Sequence, residues 1–219
     1  MSIALTYKTT NPHDKEELPW SEYIPVNADK LILGTFPTKQ NNRDFEFFYP
    51  NKNNKFWKVL ARIADINLTE FEKSENGKLQ AVNERKRILD NLKLAITDIG
   101  AVVLRQNNSS LDSNLFPIEF TDIFKILSEN PTIKTVILTS SSNGNSVLSW
   151  FKIYCDINNI VLNVDKKNKD FPVQTEITIN DKKIKIVIVY STSGAAGKTE
   201  DFLFEQYKKV IKDEKKASH

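Results

Sequence analysis

The feature that most constrains this chain is a set of short apolar runs, each stopping at a small or polar residue. They are Lys30-Leu-Ile-Leu-Gly34, Ala95 to Leu104 and Lys134-Thr-Val-Ile-Leu-Thr139. Such runs are much too short to span a bilayer, and their continuity marks strands buried on both faces. Helical patterns lie between and after them. Phe56 to Ile66 carries apolar residues at Phe56, Val59, Leu60 and Ile63, and Leu79 to Leu94 has a charged face at 84–87. Phe120 to Leu127, Ser146 to Cys155 and Glu200 to Lys212 read the same way. Val173 to Ile179 and Ile184 to Val189 flank Asn180-Asp181 as a hairpin would. This alternation predicts an α/β fold, a three-layer α/β/α sandwich around a central, mostly parallel sheet.

A length of 219 residues suits one domain. Its core is expected at about 28–212, with an irregular N-terminal arm at 1–27 and a frayed tail at 213–219. Mean hydropathy is -0.41 and net charge +3, a balance that permits nucleic-acid binding without demanding it. Cys155 is the single cysteine, so intrachain disulfides and cysteine-ligated metal centres are excluded. The two histidines, His13 and His219, lie near opposite ends, which argues against a His-based metal site or a Ser-His-Asp triad. No metal and no cofactor are expected. The first residues hold no apolar leader, so a cytoplasmic location without membrane association is expected.

In parallel sheets, ligands bind outside the carboxyl ends of the strands. Three loops leave such ends, at Gly34–Asn54, Arg105–Asn114 and Ser140–Asn145, and a fourth, Ser191–Gly197, follows the hairpin. The first is unusually long for a compact domain, which suggests function. It holds Phe45, Phe47, Phe48 and Tyr49 within five residues. Adjacent side chains cannot all face one way, so some of these rings belong to the core and some to a pocket.

Four segments in order resemble the uracil-DNA glycosylase superfamily, with the hypoxanthine-DNA glycosylase branch as the nearest pattern. The first is Gly34-Thr35-Phe36-Pro37, continued by Phe47-Phe48-Tyr49-Pro50 and Asn54-Lys55-Phe56-Trp57. Thr97-Asp98 with Ser110-Leu111-Asp112-Ser113 is the second, Asn143-Gly144 the third and Ser191-Thr192-Ser193-Gly194-Ala195 the fourth. The resemblance implies a monofunctional DNA glycosylase. Such an enzyme flips a deaminated base, hypoxanthine or uracil, out of DNA and hydrolyses its N-glycosidic bond. It implies DNA as partner and a monomer.

It also implies roles for individual residues. Phe36, at the position that carries Asp or Asn in better-known branches, joins Phe48 or Tyr49 and Asn143 in holding the base by stacking and edge recognition. Asn54 becomes the residue that orients water, although Asn is equally suited to cap a helix starting at Lys55. Asp98, inside a strand pattern, is a candidate base whose role stays open, and Asp112 is better placed to hold its loop. Ser191, Thr192, Ser193, Gly194 and Lys198 are expected at the DNA backbone. Tyr190 and Gly194 stand where the family has Pro, and Phe36 is neither acid nor amide. These departures support the alternative of a non-catalytic nucleic-acid-binding protein that retains the fold.

Overall fold

The computed structural model describes residues 13–107, 109–142, 144–165 and 171–212. In chain order these form β1 (His13–Glu17), β2 (Lys30–Gly34), α1 (Phe56–Ile63), α2 (Glu75–Leu92), β3 (Leu94–Asp98), β4 (Gly100–Gln106) and β5 (Leu115–Phe120). There follow α3 (Ile123–Glu129), β6 (Thr135–Leu138), α4 (Val147–Ile157), β7 (Val173–Ile179), β8 (Lys182–Ile188) and α5 (Glu200–Ile211).

The central sheet has the order β3-β2-β6-β8-β7. Its first four strands are mutually parallel, and β7 lies antiparallel on the edge. The apolar runs are continuous because the strands are covered on both sides. Leu31, Leu33, Val136, Leu138, Ile186 and Ile188 face one core with Ile123 and Leu127 of α3 and Trp150 and Phe151 of α4. Ile32, Ile137 and Val187 face the other, with Phe56 and Leu60 of α1, Ile88 and Leu89 of α2, and Leu203 and Tyr207 of α5. Each fully buried aliphatic or aromatic side chain contributes about 1.5–3 kcal/mol relative to exposure.

Helix ends follow from local sequence. Ser74 accepts the Gly77 N–H at the start of α2, and Ser146 and Ser149 form a reciprocal capping box at the start of α4. Thr199 caps α5, whose first turn holds Glu200 and Asp201 and whose last turn holds Lys208 and Lys209, matching the helix dipole at both ends.

The run from Ala95 to Leu104 is not one strand, as its composition suggests, but parts of two strands in different sheets. The chain turns at Ile99, where the Ile99 and Gly100 N–H groups bond to the carbonyls of Gly34 and Thr35 at 2.9 and 3.0 Å. β4 then joins a second, antiparallel sheet of order β1-β4-β5. The expected loop from Arg105 to Asn114 therefore includes the end of β4, and Phe120 closes β5 instead of opening a helix. The arm is not wholly irregular either, because residues 13–17 pair with β4. Residues 1–12 of the arm and the tail 213–219 lie outside the described residues.

Candidate active site

The last residue of β2, Gly34, pairs in register with the last residue of β3, Asp98. A Cβ on Gly34 would lie 1.9 Å from Asp98 Oδ1 and 3.2 Å from Tyr49 Oη. Only glycine leaves room here, and the space it vacates is taken by a carboxylate. Asp98 is 6% exposed, and its carboxylate makes no hydrogen bond among the described residues. Burial, and then the charge of Asp112, push its pKa up to about 7. Asp112 Oδ2 accepts a hydrogen bond from the Thr35 hydroxyl at 3.0 Å. Burial raises the Asp112 pKa, opposed by the Thr35 bond and the Arg105 charge. Two nearby acids with unlike surroundings are the arrangement that separates acid and base roles near neutral pH.

Tyr49 connects this acid pair to α1. The Thr139 hydroxyl donates to the Leu33 carbonyl at 2.8 Å, so it accepts from the Tyr49 hydroxyl, also at 2.8 Å. The Tyr49 ring stacks on Phe56, with centroids 3.8 Å apart and planes 17° off parallel. Its backbone is left-handed, with φ 50°, an uncommon conformation for a non-glycine residue. Burial first, and then the neighbouring Tyr207 and Asp98, raise its pKa, so the hydroxyl stays protonated.

Asn54 lies two residues before Phe56. Its Oδ1 accepts the Phe56 N–H at 3.0 Å and the Thr192 hydroxyl at 2.6 Å. It thus serves the first turn of α1, while its Nδ2 makes no hydrogen bond among the described residues. The Lys55 N–H donates to the Thr192 carbonyl at 3.0 Å, and Lys55 Nζ donates to the Lys198 carbonyl. The start of α1 is therefore fastened at several points to the loop after β8.

The structure sorts the remaining expected residues. Phe48 is fully buried, set edge-on against Trp20 and Phe47, with its carbonyl accepting the Trp57 indole N–H. It is a core ring and cannot stack on a base. Phe36 is buried in the α3/α4 core, and its N–H has no partner among the described residues, so backbone is what it offers a ligand. Thr192 is 1% exposed and its hydroxyl donates to Asn54. Ser191 and Ser193 are partly buried and accept the Ser193 and Ala195 N–H groups, and Gly194 forms the exposed tip. Lys198 Nζ lies over the rings of Tyr190 at 4.3 Å and Phe202 at 4.9 Å. Asn143 lies outside the described residues.

Arg105 was not among the expected site residues, yet it holds the rim. It is fully buried, bonds both carboxylate oxygens of Glu16 at 2.7 and 3.0 Å, and donates to the carbonyls of Pro37 at 2.9 Å and Ser109 at 2.7 Å. One guanidinium thus joins β1 to the loops after β2 and β4. The Asn42 amide adds a bond to Ser110 Oγ at 2.8 Å between the same two loops. The signal for Arg105 was a cation directly after the apolar Val102-Val103-Leu104.

Two cavities are lined by residues other than Asp98, Asp112, Tyr49 and Asn54. One of about 510 Å³ runs beside Glu17 to Glu22, and one of about 340 Å³ opens at the amino edge of the sheet. Among the described residues no cluster of His, Cys, Asp or Glu is arranged to hold a metal ion. No described helix is long and apolar enough to cross a membrane.

Neither a family model nor a curated protein matches this chain. A solution structure from Methanosarcina acetivorans, of a protein provisionally named a uracil DNA glycosylase, does match. It covers 89% of this chain and 95% of its own length, with a TM-score of 0.58 and 15% sequence identity. The two proteins share a fold. That shared α/β fold, a mostly parallel sheet between helices, brings Gly34, Asp98 and Thr139 to one edge of the central sheet.

Proposed function

We propose that this chain is a DNA glycosylase of the uracil-DNA glycosylase superfamily, acting on a deaminated base held outside the duplex. The observation that carries the reading is the meeting of Asp98, Tyr49 and Asp112 around the side-chain-free Gly34, one ring stack away from the α1 start that holds Asn54. The fold of the Methanosarcina protein, with its provisional glycosylase name, supports the same assignment.

In this reading the extruded nucleotide enters at the carboxyl edge of the sheet. The Phe36 N–H reads the base edge, and the Tyr49 ring supplies the aromatic wall. Water attacks the sugar C1′ as the N-glycosidic bond breaks, and the departing base keeps the bonding electron pair. The proton of the attacking water passes to the Asp98 carboxylate, whose pKa of about 7 suits a base at neutral pH. Asn54 Nδ2 donates to the attacking water and holds it in line. Ser191, Ser193 and the Gly194 tip meet the phosphates beside the flipped nucleotide, with Lys198 behind them.

The test is incubation with duplex and single-stranded oligonucleotides carrying hypoxanthine, uracil or xanthine, followed by alkaline cleavage at abasic sites. Strand cleavage at one modified base supports the proposal; none at enzyme in excess over every substrate overturns it. The apolar, buried Phe36 at the position of an acid or amide favours a second reading, a non-catalytic binder. That reading expects salt-sensitive DNA binding without turnover.

A further inference from the structure

The loop after β8 and the first turn of α5 carry an aromatic cluster to which the proposed reaction gives no task. The Tyr190 ring lies 4.2 Å from Phe171 and 5.5 Å from Phe202, centroid to centroid, and Lys198 Nζ sits over both Tyr190 and Phe202. We propose that Phe202 is a stacking platform for an unpaired base of the DNA strand, next to the flipped nucleotide. This rests on the glycosylase reading for the path of the strand, and it gives that reading a substrate class, single-stranded DNA.

The fold holds the rings in place. Tyr190 donates its N–H to Gln206 Oε1 at 2.8 Å, and its carbonyl accepts the Tyr207 hydroxyl at 3.0 Å, so α5 fixes its backbone at both polar groups. Phe171 and Lys198 crowd the Tyr190 ring, which makes it the filled middle of the cluster. Phe202 is the open end, 43% exposed. The Thr199 hydroxyl accepts the Phe202 N–H at 3.2 Å and sets this residue in the first turn of α5. Side chains on a helix lean toward its N-terminus, so the Phe202 ring lies toward the loop.

An exposed phenylalanine by itself signals little. This one borders a cation and the segment proposed to meet phosphates. Lys198 Nζ makes no hydrogen bond among the described residues; its contacts are ring faces, which leave donor capacity for a phosphate oxygen. Of the two acids in the first turn of α5, Asp201 is already answered by Arg62 at 2.5 Å. A ring beside an ammonium matches what a single strand presents, a base face beside a phosphate. The platform is also continuous with the crevice, because the Lys198 carbonyl accepts from Lys55 Nζ, and Lys55 follows Asn54. The loop tip, Gly194-Ala195-Ala196, has no ring of its own. A base inside a duplex has both faces covered by its neighbours. Phe202 can therefore receive only an unstacked one, which favours a strand without its complement.

The test titrates the full chain into single strands and duplexes that carry a tetrahydrofuran abasic analogue, with 2-aminopurine at either neighbouring position. Stacking quenches 2-aminopurine, so fluorescence should fall at one of the two positions in the single strand. Phe202→Ala should abolish that quenching and weaken single-strand binding about 5- to 150-fold, the range for one base on one ring, with duplex binding changed less than about twofold. Phe202→Tyr should retain quenching and affinity, separating the ring from a folding defect. Lys198→Gln should lower the slope of log affinity against log salt by about 0.7 for single strands. Quenching and affinity unchanged in Phe202→Ala, or an equal loss for single strand and duplex, overturn the proposal. A wild type that binds with quenching but cleaves no modified base keeps the platform and removes the glycosylase reading; cleavage without quenching does the reverse.

Discussion

Thr192 donates its hydroxyl to Asn54 Oδ1 across 138 positions of sequence, at 2.6 Å. With the Phe56 N–H on the same oxygen, the acceptor side of the Asn54 amide is filled. Whatever Asn54 does for a ligand, it does as a donor through Nδ2.

Replacing Asn54 by Ala should therefore have two separable effects. Loss of the helix-start bond should cost about 1 kcal/mol of stability, read by urea denaturation. Single-turnover cleavage should fall about a hundredfold or more, as for loss of a donor at a reacting centre. Asn54→Asp keeps both acceptor bonds and lacks the donor, so it should retain stability and still lose rate. Full activity in Asn54→Asp would remove Nδ2 from the mechanism.

The raised pKa of Asp98 makes stability depend on pH. Below the ordinary carboxylate value of 3.8, Asp98 is protonated in folded and unfolded chains alike, and its burial carries no charge penalty. As pH rises from there to about 7, the unfolded chain ionises first and stability falls. Above that the loss is complete, on the order of 4 kcal/mol by linkage. Asp98→Asn should flatten this part of the stability–pH curve and be more stable than the wild type at pH 8. The same variant should lose the rising limb of cleavage rate that the wild type shows toward neutrality.

Gly34→Ala places a methyl group 1.9 Å from Asp98 Oδ1. The carboxylate must move, and overpacking of this kind costs about 1–3 kcal/mol. In an Asp98→Ala background the same change should cost much less, because the 1.9 Å clash is gone and the 3.2 Å approach to Tyr49 Oη is far milder. A double-mutant cycle with no coupling between positions 34 and 98 would contradict the geometry.

Arg105→Met should leave Glu16 and the carbonyls of Pro37 and Ser109 without their cation. Removing one partner of a buried ion pair costs about 3–5 kcal/mol. Arg105→Lys should recover little, because an ammonium cannot span both oxygens of Glu16 and two carbonyls at once. Denaturant midpoints of the two variants check both statements.

The sheet was legible where strands are covered on both faces, as at Leu31 to Leu33 and Val136 to Leu138, because such burial writes an unbroken apolar run. The boundary at Ile99 was not, since the runs that flank it, Leu94 to Ile96 and Ala101 to Leu104, are equally apolar. The available signs were an acid at 98 and a glycine at 100, where a Cβ would meet Trp150 at 2.8 Å. β1 reads His-Asp-Lys-Glu-Glu and owes its conformation to pairing with β4, which no local pattern encodes. At the site, the loops that gather at the carboxyl edge could be foreseen from strand order. The partition of rings could not: Phe48 and Tyr49 are adjacent, and only packing sends one into the core and gives the other a hydroxyl bond to Thr139.

The double attachment of Lys55, through its N–H to Thr192 and its ammonium to Lys198, has a mechanical corollary. The segment expected to touch the sugar–phosphate strand and the amide expected to hold the attacking water ride on one bracket. Displacing that segment by an ångström would drag Asn54 with it, so grip on the strand and alignment of the nucleophile rise and fall as a single event.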